Sequence, residues 1–243
     1  MVGMCKSISA QDLKYKYRVY GHFYSNDLGA SRIYPCRSVL EIVATKAQIE
    51  MSLATDLPDA VVVMMNPGSS SPEESTSCDS YNKNTIRNMK SVLCKAKPDP
   101  TQYQVMRIMA SMGWNHVRVI NLSDLRTPKS ASLYAMIKEI DNDQHSIFSE
   151  SRKEELKSKL DRKPNAPIIC AWGIDNALFS LCKKAQLSLS ELPVVGWQKD
   201  KTNFKFYHAN PQTQSGKQAW LTEVIRSEEH TSELQSHHDR VFR

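Results

Sequence analysis

Two asparagines and one histidine each stand just after a short apolar run: Asn66 in MMNPGSSSP, Asn121 in VRVINLSDLRTP and His208 in YHANPQTQSGKQAW. An asparagine at a strand end carries an amide donor and a carbonyl acceptor, the pair that reads a nucleobase edge, although capping a turn is its commoner duty. Behind Asn66, Pro67 fixes one turn dihedral and Gly68 frees the next, so the chain folds sharply. Ser69, Ser70 and Ser71 follow, with hydroxyls and amides suited to a phosphate or a base edge. Taken alone, N-P-G is a commonplace turn. A lone histidine is usually structural, but His208 opens a polar loop in the zone where a ligand would lie.

The elements that must position these residues are read from periodicity. Ala60 to Met65, Val117 to Ile120, Pro167 to Ala171 and Phe204 to Tyr207 are short, apolar or β-branched runs bounded by turn residues, and they predict four strands, with a short extra piece at Leu192 to Val195. Thr101 caps a helix in which Val105, Ile108, Met109 and Met112 share one face and Gly113 ends the run. Further helices are expected at Asn84 to Lys95, Ser130 to Ile140, Ser146 to Leu160, Asp175 to Ala185 and Ser215 to Val224. Strands alternating with helices imply an α/β fold, a three-layer α/β/α sandwich around a four-stranded, mainly parallel sheet. Ligands of such sheets lie beyond the carboxyl ends of the strands. The aromatic-rich residues 1–59 are expected to form a hairpin and helix bracing the sheet edge, with the core in 60–225.

Composition excludes several classes. A chain of 243 residues, 40% hydrophobic, suits one domain. No apolar run approaches the roughly 20 residues that span a bilayer, and Met1 to Ala10 lacks the layout of a signal peptide, so a cytoplasmic protein without membrane contact is expected. The six cysteines form no C-x-x-C pair, so no metal site is signalled and no cofactor is expected. There is no G-x-G-x-x-G, P-loop or G-x-S-x-G. The net charge of +6 is modest, yet Lys83, Arg87, Lys90, Arg126, Lys129, Lys199, Lys201 and Lys217 fall in loops, which suits a polyanion as well as it suits an ordinary solvated face. Arg226 to Ser236 (RSEEHTSELQS) resembles a translated sequencing adapter, so residues 226–243 are expected to be a non-native, disordered tail behind a single domain of residues 1–225.

The order M-N-P-G, N-L, W-G-x-x-x-A and H-x-N-P, each at a successive strand end, resembles the uracil-DNA-glycosylase superfamily, and most closely its branches with Asn in the first motif. Residues 61–225, with Asp79, Thr85 and Arg87, also look like a bacterial and phage domain family of unknown function with an N-P-S/G turn and a D...T..R pattern. The usual H-P-S-P is replaced by His208-Ala209-Asn210-Pro211, which bears on the DNA-inserting loop more than on His208.

The resemblance implies a monomeric, monofunctional DNA N-glycosylase that flips out a base and leaves an abasic site. Asn66 would orient the attacking water, and His208 would donate to the departing pyrimidine. Asn121 would pair with the base edge, and Met65, Gly68, Ser69 and Ser70 would line the base. Arg126, Lys129, Lys199 and Lys217 would meet phosphates, while Gln212, Thr213 and Ser215 would lie against the gap in the stack. The small side chains after Gly68 leave room at pyrimidine C5, so the expected substrate is a modified pyrimidine, with hypermodified phage cytosines and antiviral defence as the leading setting. The alternatives are a non-catalytic nucleic-acid or nucleotide-binding module and a small-molecule nucleoside or nucleotide N-glycosidase.

Overall fold

The computed structural model of the chain describes residues 8–29, 32–47, 53, 55–74, 78–200 and 204–241, with the backbone alone from residue 230 onward. Ser9 caps α1 (Ala10–Lys16), its Oγ accepting from the Asp12 amide at 3.2 Å. The helix passes directly into an antiparallel hairpin, β1 (Tyr17–Asp27) and β2 (Ile33–Ala44). β3 (Ala60–Met64) is buried at every residue, and the short strands β4 (Ser71–Pro72), β5 (Ser80–Asn82) and β6 (Cys94–Lys97) follow it. α2 (Pro100–Met112), β7 (His116–Asn121), α3 (Ser130–Glu139), α4 (Lys153–Leu160), β8 (Ile168–Ala171), α5 (Phe179–Leu189), β9 (Val194–Val195) and α6 (Gln214–Val241) complete the order.

The strands form one nine-stranded mixed sheet in the order β4-β6-β1-β2-β7-β3-β8-β9, with β5 paired to β1. This overturns the expected sandwich around a four-stranded, mainly parallel sheet. β7, β3, β8 and β9 do pair in parallel, but β2 joins β7 antiparallel and carries β1, β6 and β4 beyond it. The physical reason lies in β2, whose residues from Cys36 to Val43 are all buried. A strand covered on both faces belongs inside a sheet, so the hairpin inserts along β7 instead of bracing an edge.

Apolar side chains divide between the two faces. On one, Val62, Met64, Val117, Val119, Leu40 and Ile42 pack with Leu13 of α1, Val105 and Met109 of α2, and Trp220 of α6. On the other, Val61, Val63, Ile120, Ile168 and Cys170 pack with Leu133 of α3, Leu156 of α4, and Leu181 and Cys182 of α5. Each fully buried Val, Leu or Ile contributes about 1.5–3 kcal/mol, so β3, which fills both layers, is where a charged substitution would do most damage.

Several element boundaries are corrected. The helix expected at Asn84 to Lys95 is only a 3-10 turn, Ile86–Asn88, after which the chain extends into β6. The helix expected from Ser146 starts with the 3-10 turn Glu150–Arg152 ahead of α4, and the one expected from Asp175 starts with Asn176–Leu178 and runs on to Leu189. Phe204 to Tyr207 is no strand: Phe206 makes single bridges to Gly173 and Gln198, and β9 is the parallel strand beside β8. Asp99, not Thr101, caps α2. α6 continues as helix to Val241, through the segment expected to be disordered. Among the described residues, no helix is long and apolar enough to cross a membrane.

Candidate active site

Asn66 leaves the end of β3 with its amide nitrogen fixed twice, donating to the carbonyls of Leu125 at 3.1 Å and Thr127 at 2.9 Å. Two carbonyls on one side define the rotamer, so the opposite pole, Oδ1, is an oriented acceptor. It accepts no hydrogen bond among the described residues and is not sealed from solvent. The turn behind it closes through the Ser70 amide, which donates to Pro67 O at 3.2 Å, with Gly68 at φ 63°. A side chain at Gly68 would be strained by that dihedral and would stand 3.2 Å from Asp99 Oδ2.

Arg126 holds this turn. Its Nε donates to Ser70 O at 2.8 Å and its guanidinium lies 5.0 Å from the centre of the Phe23 ring. Burial pushes its pKa down. The arginine expected on a phosphate is therefore a brace between the hairpin and the Asn66 turn.

Asn121 ends β7 opposite Met64 and is fully buried. With its amide turned to satisfy both ends, Nδ2 donates to Asn66 O and Oδ1 accepts from Arg37 Nη2, each at 3.3 Å. This asparagine ties the Asn66 backbone to an arginine that sequence reasoning did not single out.

His208 is half-buried at the end of the crossing segment. That segment is tied down by Gly173 N to Phe206 O at 2.9 Å, Tyr207 N to Trp197 O at 2.8 Å and Trp220 Nε1 to Tyr207 O at 3.2 Å. Gly196 permits the crossing, since any side chain there would meet Cys170 O at 2.5 Å and Phe206 at 2.8 Å. Asn210 N donates to His208 Nδ1 at 3.2 Å, which places the ring proton on Nε2. Burial lowers the imidazole pKa while the nearby Asp99 carboxylate pulls the other way. His208 is thus a neutral ring with one directed donor.

Asp99 is the common neighbour of these groups. Its Oδ1 caps α2 by accepting from Thr101 N at 2.9 Å and Gln102 N at 3.0 Å, and its Oδ2 faces Gly68. Its charge reaches both Arg37 and His208. The turn, the two asparagines, Arg37 and His208 therefore gather at the carboxyl ends of β3 and β7.

The remaining candidates are spread more widely. Met65 is half-buried and accepts through sulfur from Tyr134 Oη at 3.9 Å. Ser69 is exposed, whereas Ser70 is fully buried and its hydroxyl has no partner among the described residues. Lys129 is exposed at the start of α3, Lys199 is half-buried, and Lys201 lies outside the described residues. Lys217 is half-buried, with its carbonyl taking Gln104 Nε2 at 3.2 Å. Gln212, Thr213 and Ser215 are exposed, and Thr213 Oγ1 accepts from Gly216 N at 3.1 Å.

Beneath the loop that follows Asn121 lies a buried ionic cluster. Asp124 Oδ2 meets Arg152 Nη1 at 2.7 Å and accepts from Tyr24 Oη at 2.8 Å, while Glu155 takes the same guanidinium at 2.8 and 2.9 Å. Asp124 of this cluster directly precedes Leu125, one of the two residues whose carbonyls hold Asn66. No group of three or more His, Cys, Asp or Glu side chains suited to a metal ion occurs among the described residues.

Residues 91–201 match a family described as a protein of unknown function, DUF1643. The match includes Asp99 and Asn121 and leaves out Arg37, Asn66 and His208. It is compatible with the expected resemblance to a family of unknown function, and the comparisons give no support to a relation with the uracil-DNA-glycosylase superfamily. No curated protein and no solved structure matches the chain.

Proposed function

We propose that the chain hydrolyses the N-glycosidic bond of a base flipped out of DNA. One observation carries this reading: a fixed acceptor, Asn66 Oδ1, and a fixed neutral donor, His208 Nε2, at the same end of the sheet. Glycosidic cleavage leaves a cationic sugar and an anionic base, so it needs a water held by an acceptor and a donor aimed at the leaving group. An amide oxygen orients water without taking its proton, which makes the enzyme slow.

A polyanion partner is supported by a groove of about 550 Å³ where Lys14, Arg18, Lys95 and Lys97 outnumber one carboxylate, Glu73, with Tyr15 70% exposed at its rim. Cations beside an exposed aromatic suit a nucleic-acid strand. The groove adjoins β6, which pairs with β4 just after the Asn66 turn. The modified pyrimidine remains the preferred substrate, because Ser69 and Ser71 put no bulk beside the turn.

A second reading, a nucleoside or nucleotide N-glycosidase, is favoured by Arg126, which is taken up by Ser70 O rather than offered to a phosphate. The deciding experiment is incubation with DNAs of differing base composition, including phage DNAs with hypermodified cytosine, followed by alkaline cleavage at abasic sites. Abasic sites formed by the wild-type chain and not by Asn66→Ala support the DNA reading. Base release from free nucleotides alone transfers the activity to the second.

A further inference from the structure

Arg37 stands where a regular strand would not put it. Val39 lies on the sheet face that carries α4, so strict alternation would aim residue 37 at that face as well. The register slips between His22 and Phe23, leaving Ser38 unpaired, and Arg37 comes opposite Phe23 on the other face. A bulge of this kind re-aims one side chain while the sheet continues.

The redirected guanidinium is 2% exposed. Nη2 donates to Asn121 Oδ1 at 3.3 Å, whereas Nε and Nη1 have no partner among the described residues. The buried Ser70 hydroxyl, on the Asn66 turn, also lacks one. The neighbouring charges are Asp99 and Asp124, which favour the cation, and Arg126, which opposes it; the Arg37 amide donates to Asp124 O at 2.9 Å, but among the described residues no hydrogen bond joins the guanidinium to any of the three side chains. A buried cation with unmet donors destabilises a fold, so its persistence beside a site points to a partner that arrives with the ligand.

We infer that Arg37 is the anion-holding residue of this site, and that its free N–H groups receive the negative charge of a bound ligand. The identity of that anion rests on the glycosidase reading. When the C1′–N1 bond breaks, its electron pair stays on the pyrimidine ring; the water oxygen bonds to C1′ and the water proton ends on the ring nitrogen. Between those events the ring is an anion, and Arg37 holds it.

The test is direct binding to the intact chain, read by tryptophan fluorescence. At mildly alkaline pH 5-nitrouracil is ionised and uracil is not, and the wild type is expected to bind the ionised base at least about tenfold more tightly. Arg37→Met and Arg37→Gln are expected to bind the two alike. Without ligand, Arg37→Met is expected to melt no lower than wild type, since it removes an under-partnered buried charge; a purely structural arginine gives the opposite result, and failure of this variant to fold overturns the inference. Inorganic phosphate is the second arm. Phosphate binding that Arg37→Met abolishes, with no preference for the nitro base, supports anion holding and assigns the anion to a nucleotide phosphate. Equal affinity for both bases, with no phosphate binding that depends on Arg37, overturns the inference. Abasic-site formation is scored separately, so an intact anion preference without cleavage removes only the glycosidase reading.

Discussion

Asn66 presents an acceptor only because its nitrogen is occupied by two carbonyls, and this sets what other residues can do there. Asn66→Ala is expected to lower the single-turnover rate by about 100-fold or more while DNA affinity changes little, because positioned water matters in the transition state. Asn66→Asp, chemically the better base, would turn a carboxylate toward Leu125 O and Thr127 O. It is expected to destabilise the protein by about 1–3 kcal/mol in chemical denaturation and to bring no gain in rate. His208→Ala is expected to slow the chemical step on the scale of Asn66→Ala, through loss of the Nε2 donor. Equal single-turnover rates in wild type and either alanine variant would remove that residue from the mechanism. The asparagines and His208 were visible as candidates because each follows an apolar run. Arg37 was not, since in PCRSVLE it reads as an ordinary polar position and the unpaired Ser38 that redirects it leaves no mark in the residue types.

At the scale of elements, the start of α2 joins folding to the site. Asp99 and Gln102 form a reciprocal capping box with Pro100 in the first turn. Asp99→Ala is expected to cost about 1 kcal/mol in thermal or chemical unfolding, whereas Asp99→Asn, which keeps the cap and drops the charge, is expected to stay within a few tenths of wild type. If the two variants unfold alike, the cap is not what Asp99 contributes. Gly68→Ala is expected to cost about 1–2 kcal/mol from its left-handed backbone, with Asp99 Oδ2 already at contact distance. The buried strands β3 and β8 were readable because they are continuously apolar, and β7, which also buries His116, Arg118 and Asn121, because Val117, Val119 and Ile120 are β-branched. Met89, Val92 and Leu93 mimicked helical spacing without forming a helix, since Met89 and Leu93 pack as isolated contacts on the α4-side core while Val92 is 69% exposed. Phe204 to Tyr207 was misread for a different reason: its residues are strand-like, but they cross β8 and β9 instead of joining them.

For the molecule as a whole, buried titratable groups set the response to acid. Burial pushes His22 and His145 from 6.5 down to about 4, so both are neutral in the folded protein while the unfolded chain takes up protons below about 6.5. Stability is therefore lost as pH falls from about 6.5 to about 4, by about 3 kcal/mol for each histidine. Asp124 acts in the opposite sense, since burial and the nearby Glu155 raise it from 3.8 to about 6 and it stabilises the fold as pH falls through that window. The expected net is a loss of about 3–4 kcal/mol in denaturant titrations between neutral and acid pH, reversed in sign in a His22→Asn, His145→Gln double variant, where Asp124 is left to act. Wild-type stability that rises toward acid would refute the assignment. Alternation of strands and helices led to the overturned expectation of a four-stranded, mainly parallel sheet, because it says nothing of the hairpin inserted along β7: pairing partners are chosen in space and leave no local trace. The origin of the site residues also has a consequence for synthesis. Arg37 and Asn66 emerge well before His208, whose segment is latched by Trp220 of α6. At about 5–20 residues per second, the 154 residues from Asn66 to Trp220 take roughly 8–30 s to translate, and the carbonyls of Leu125 and Thr127 that fix Asn66 and the ring of His208 join the nascent polypeptide only within that interval, so that under the proposed function it is inactive until then.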